Sequence, residues 1–108
     1  MRFLSRRPGR VAGEERVEVA PEDILHLRVR ADGRVEARVG TAGPAQEVGP
    51  EAVGELWRRA AAKNPRLIAS VETEAAARYA DMIDVLDALR LAGAGRVALR
   101  LAEEEAGR

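Results

Sequence analysis

The sequence predicts an α+β fold, a two-layer sandwich in the order β-β-α-β-α-β with both helices on one face of a mixed sheet. Three observations lead there. Apolar and polar residues alternate between Ile24 and Val39, the period of a half-buried strand pair. Two later segments, beginning near Pro50 and Ala76, carry apolar residues at helical spacing. Each of those segments is followed by a short apolar run, "RLIASV" and then "RVALRL", as in strand-helix-strand crossovers.

In the first element Leu25, Leu27 and Val29 alternate with His26, Arg28 and Arg30, and in the second Val35, Ala37 and Val39 alternate with Arg34, Glu36 and Arg38. Parity selects the turn between them. A two-residue Asp32-Gly33 loop pairs Arg30 with Val35 and places charge on the apolar face. A three-residue loop, Ala31-Asp32-Gly33, pairs Val29 with Val35, Leu27 with Ala37 and Arg28 with Glu36. That is a type I turn in which Gly33 takes the left-handed position of a bulge.

Residues 41–49 read as a Gly/Pro loop with a short edge strand near Val48, and Pro50 suits the first turn of the first helix. Val53, Leu56, Trp57, Ala60 and Ala61 form its apolar stripe, with Glu51 and Glu55 early and Lys63 late, as the helix dipole favours. Asn64-Pro65 ends it. Residues 66–71 are apolar on both parities and read as an interior strand. The second helix is expected over 76–92, with Tyr79, Met82, Ile83, Val85, Leu86 and Leu89 on its apolar stripe and Gly93 as a left-handed cap. Residues 96–101 make the last strand, parallel to the preceding one. The domain therefore spans 24–101, after a charged leader (1–23) expected to be flexible and before an acidic tail (102–108).

A chain of 108 residues supports one core. Its 18 basic and 18 acidic residues balance, which argues against a general nucleic-acid binder, and the arginines of the hairpin lack interleaved aromatic stacking platforms. All the basic residues but Lys63 are Arg, a skew that reads as base composition rather than as many anion contacts. The absence of Cys excludes disulfides, thiolate zinc sites and Cys nucleophiles. The longest uncharged stretch is eight residues, Val39 to Gln46, far short of the roughly 20 that a membrane helix needs. The basic start of the chain is not followed by the apolar segment of a signal peptide.

The candidate chemistry is thin, and no cofactor or metal is expected. Gly93-Ala94-Gly95 lies between a helix and a strand, the reverse of the strand-to-helix order in which a glycine loop holds phosphate. Asp81, Asp84 and Asp87 spread along the wet flank of their helix, with Asp87 nearest the buried stripe and suited to a structural or interface hydrogen bond. His26 is the only His, which excludes multi-His metal sites, and it reads as a surface residue opposite Arg38. Ser70 lies inside a strand without a nucleophile-elbow signature. The chain reads as non-enzymatic.

The segment from Val71 to Leu99 resembles the ExbD/TolR family of biopolymer-transport proteins. The family's signature is Tyr-Gly, valines, Val-x-Asp-x-Leu-x-x-Ala-Gly and a final Val-x-Leu strand; here it reads Tyr79-Ala80, Val85-Leu86-Asp87-Ala88-Leu89-Arg90-Leu91-Ala92-Gly93 and Val97-Ala98-Leu99. The hairpin around Asp32-Gly33 and the helix ending in Asn64-Pro65 are similar to the family's opening elements, so the likeness covers residues 24–101. Thr73-Glu74 stands where the family has Ala-Asp, Arg78 where it has Pro, and the 41–47 loop is longer. The transmembrane helix with its proton-responsive Asp has no counterpart in this sequence.

The resemblance implies a domain that works beside an ExbB/TolQ-like channel in a proton-motive-force-driven system, dimerises, and touches a TonB/TolA-like protein or peptidoglycan. It implies an inner-membrane-associated, periplasmic location, whereas a chain that naturally starts at Met1 is expected in the cytoplasm. Partner contacts are expected from Glu74, Tyr79, Asp87, Arg28 and Arg38, and structural roles from Gly33, Pro50, Trp57, Leu86, Leu89 and Gly93. The competing expectation is a homodimeric interaction or regulatory module that shares only the fold.

Overall fold

Five strands and two helices build the domain in a computed structural model that describes residues 19–101. The leader up to residue 18 and the acidic tail lie outside the described residues. Strands β1 (Ile24–Val29), β2 (Val35–Val39) and β3 (Gln46–Val48) precede helix α1 (Val53–Lys63); β4 (Ile68–Thr73), α2 (Tyr79–Leu91) and β5 (Val97–Leu101) follow. They form one mixed sheet in the order β3-β2-β1-β4-β5. β2 is antiparallel to β1 and to β3, while β1, β4 and β5 are mutually parallel neighbours.

The hairpin has the register that parity requires. Val29 faces Val35, Leu27 faces Ala37 and Arg28 faces Glu36. The Gly33 amide donates to the Arg30 carbonyl, and Gly33 sits at φ +87°, the left-handed position that a Cβ disfavours. At the other end of the domain Gly93, at φ +93°, closes α2. Its amide bonds to Arg90 O and that of Ala94 to Leu89 O, the paired bonds of a Schellman cap. The Gly-Ala-Gly stretch is a helix stop here.

Several boundaries differ from the sequence expectation. α2 begins at Tyr79 because residues 75–77 form a turn, and Arg78 takes an extended N-cap conformation. Tyr79, expected on the buried stripe, is therefore in the first turn with 73% of its surface exposed. β4 begins at Ile68, after a loop that includes the buried Leu67. The edge strand expected near Val48 is present as β3. Pro50 opens a 3-10 turn, Pro50–Ala52, that runs directly into α1. The end of the expected leader is structured, since Pro21–Asp23 form a 3-10 turn and the Asn64 side-chain amide donates to Asp23 Oδ1 over 2.7 Å.

The core lies between the helices and one sheet face. Leu25, Leu27 and Val29 of β1, Val35 and Ala37 of β2, and Ala69 and Val71 of β4 are buried against Val53 and Trp57 of α1 and Met82, Val85 and Leu89 of α2. Leu86 is partly buried at its margin. The two helices approach closely where Gly54 faces Ala88, since a Cβ on Gly54 would lie 3.3 Å from the Ala88 carbonyl oxygen. Among the described residues no helix is long and apolar enough to cross a membrane.

Candidate functional site

The strand order leaves four surfaces: the outer sheet face, the two sheet edges and the end of the sandwich where both helices finish. On the outer face the registers align side chains in rows. One row runs Arg38, His26, Ser70, Ala98 across β2, β1, β4 and β5, and the next runs Glu47, Glu36, Arg28, Glu72, Arg100 from β3 to β5. A shallow depression of about 370 Å³ lies over these rows, with Thr41 at its rim.

The second row is an ion-paired ladder. Arg28 lies 3.7 Å from Glu72 and 3.1 Å from Glu74, and Arg100 lies 4.0 Å from Glu72. Arg30 and Arg34 share Glu47, at 3.4 and 3.3 Å. The basic patch that the sequence suggests is thus largely neutralised by acids from other strands, and Arg38 alone of its four arginines has no carboxylate within pairing distance among the described residues.

Glu74 joins the ladder to the hairpin. Its carboxylate accepts the Ala31 amide over 2.8 Å and the Arg28 Nε–H over 3.1 Å. Those two bonds, the backbone one foremost, hold its carboxyl below the usual carboxylate range despite some desolvation. Glu74 therefore pins the loop after β4 to the tip of the β1-β2 hairpin.

The first row contains a juxtaposition that the sequence conceals: the parallel register makes His26 and Ser70 direct neighbours. Among the described residues no hydrogen bond joins their side chains and none is made by the imidazole. Among the described residues no group of His, Asp and Glu is disposed to hold a metal ion.

On α2 the three acidic residues go separate ways. Asp81 approaches the hairpin, with Oδ2 3.3 Å from where a Cβ on Gly33 would stand. Asp84 is exposed. Asp87 is also exposed and forms an i,i+3 pair with Arg90 at 3.1 Å.

The two edges of the sheet contrast. β3 is three residues long, carries the exposed Gln46 and Glu47, and is flanked by Pro44 and Pro50, the usual ways of blunting an edge. β5 is five residues long, and among the described residues it pairs on one side only, with β4. Register places Val97 and Leu99 on the helix side of the sheet, yet they remain 38% and 49% exposed. The helices cover β2, β1 and β4 and stop short of β5.

Sequence reasoning located the residues of the outer face but missed both the His26–Ser70 contact and the open side of β5. The first requires the β1-β4 register, which no local pattern encodes. The second requires the strand order, since the first strand in sequence lies at the centre of this sheet and the third at an edge. No protein-family model matches this chain, and no curated protein matches it.

Proposed function

We infer that the domain is a non-catalytic interaction module of the ExbD/TolR kind, which pairs with a second copy of itself through β5 and serves a proton-motive-force-driven energy-transduction system. In that role it stands beside an ExbB/TolQ-like channel and touches a TonB/TolA-like protein or peptidoglycan. The observation that carries the reading is the β5 edge, unpaired among the described residues, with Val97 and Leu99 left 38% and 49% exposed.

The sequence of β5 supports self-pairing. Two antiparallel copies centred on Leu99 place Leu99 opposite itself, Val97 opposite Leu101 and Ala98 opposite Arg100, joining two five-stranded sheets into one of ten. Centring on Ala98 instead sets Arg96 against Arg100, and like charges in facing positions repel. The Leu99-centred register thus has a local advantage, and an isologous contact of this kind closes as a dimer.

The chain has no native Cys, so L99C gives a clean readout. Facing Cα atoms of antiparallel strands lie about 4.5–5.5 Å apart, within disulfide reach. Oxidation is expected to cross-link this variant efficiently, and L99K is expected to be monomeric in sedimentation with an unchanged circular dichroism spectrum. A wild-type chain that remains monomeric at millimolar concentration overturns the self-pairing. Co-purification of an ExbB/TolQ-like channel protein with the tagged chain from solubilised membranes supports the energy-transduction role. A dimer that brings down no such partner overturns that role and leaves the regulatory-module reading.

A further inference from the structure

A second surface, separate from β5 and from the outer sheet face, lies at the end of the sandwich where both helices finish. There a pocket of about 600 Å³ is walled by Trp57, Pro65 and Gly95 and fringed by three arginines, Arg58, Arg66 and Arg96. They come from three different places: α1, the loop before β4, and the turn before β5. None of the twelve lining residues is acidic, in a chain whose charges balance overall.

Ordinary structural duties account for only part of this cluster. Lys63 and Arg90 are the basic residues of the last helical turns, so Arg58 and Arg96 are not needed to offset the helix dipoles. Of the three, Arg66 pairs with Asp23 at 3.7 Å. Arg58 and Arg96 form no ion pair with a described residue. Three guanidinium charges less that of Asp23 leave two unopposed. The space above Gly93 and Gly95 is also open, so a ligand has access to the backbone of that turn.

We propose that this pocket binds a phosphate monoester dianion, with Arg58 and Arg96 as its principal ligands and Arg66 as a weaker third. The chemistry follows from the cluster. Guanidinium groups present planar donor forks that match phosphate oxygens, and two unopposed positive charges match a dianion. The exposed Pro65, with Ala62 and Ala92 beside it, gives an apolar organic group attached to the phosphate a surface to lie on.

The test is an amide NMR titration of the full chain with inorganic phosphate, against sodium chloride of equal ionic strength. Saturable shifts confined to residues around Gly95 and Arg96 are expected with phosphate and not with chloride. R58Q combined with R96Q is expected to weaken binding at least tenfold without altering the spectrum elsewhere, and R66Q alone is expected to weaken it less. Shifts that never saturate, that chloride reproduces, or that survive in the double variant overturn the proposal. Co-sedimentation with vesicles containing phosphatidic acid, lost in the double variant, assigns the phosphate to a lipid headgroup. Capture by free phosphate alone assigns it to a soluble ester. Failure of both disproves the site.

Discussion

Removing the Glu74 carboxylate tests whether the loop before α2 is tied to the hairpin by charge. Its partners are the Ala31 amide at 2.8 Å and the Arg28 guanidinium at 3.1 Å. Hydrogen bonds to a charged group contribute about 1.5–3 kcal/mol each when well buried. Here the Glu74 and Arg28 side chains are 31% and 43% exposed, so solvent screening reduces the ion pair to the range of about 0.2–1 kcal/mol typical of surface pairs. With about 1 kcal/mol for the amide bond, E74A is expected to cost about 1–2 kcal/mol. E74Q keeps a neutral acceptor for the amide and is expected to cost about 1 kcal/mol.

The pH dependence identifies the cause. A carboxyl whose folded pKa lies below its unfolded value stabilises the fold above the unfolded value, about 4.3 for Glu, and loses that contribution as pH falls through the depressed folded one. Urea unfolding followed by circular dichroism, with Trp57 fluorescence as a second probe, should therefore show wild type above E74Q at neutral pH. The two should converge once the pH lies below the folded pKa, where Glu74 is protonated. Equal midpoints at neutral pH, or a gap that persists in acid, would refute the charge-based tie.

Two further substitutions probe the packing. Thr73 is buried and its Oγ1 has no hydrogen-bond partner among the described residues, so T73V is expected to raise stability by about 1 kcal/mol in urea unfolding. G54V places its Cβ 3.3 Å from the Ala88 carbonyl oxygen and 3.6 Å from the Ala92 Cβ, and overpacking there is expected to cost about 1–3 kcal/mol, read as a lowered melting temperature.

What was legible in the sequence was whatever local periodicity and turn chemistry determine. The β1-β2 register could be read because the apolar face and Gly33 admit one loop length. The end of α2 could be read because Gly93 supplies the left-handed cap. Its start could not: Ala75, Ala76 and Ala77 have helix-forming side chains, yet the chain turns there, with the Ala77 amide bonded to the Glu74 carbonyl. Glu74 is expected from the sequence as a partner contact, and only the parallel docking of β4 on β1 brings it to Arg28 and Ala31 within the chain. The arginine pocket is hidden for the same reason, because residues 58, 66 and 96 meet only through the tertiary fold.

The open side of β5 has its own cause in the sequence. Gly54, Ala88 and Ala92 are the small residues through which α1 and α2 approach. Small side chains bring helix axes close, and two helices drawn together cover a narrower strip of sheet. The strip they cover here runs from Val35 and Ala37 across β1 to Ala69 and Val71, all at most 1% exposed, and it ends before Val97 and Leu99. The helix layer drawn together at Gly54 thus ends before β5, and the strand it leaves exposed is the surface inferred to pair with a second copy.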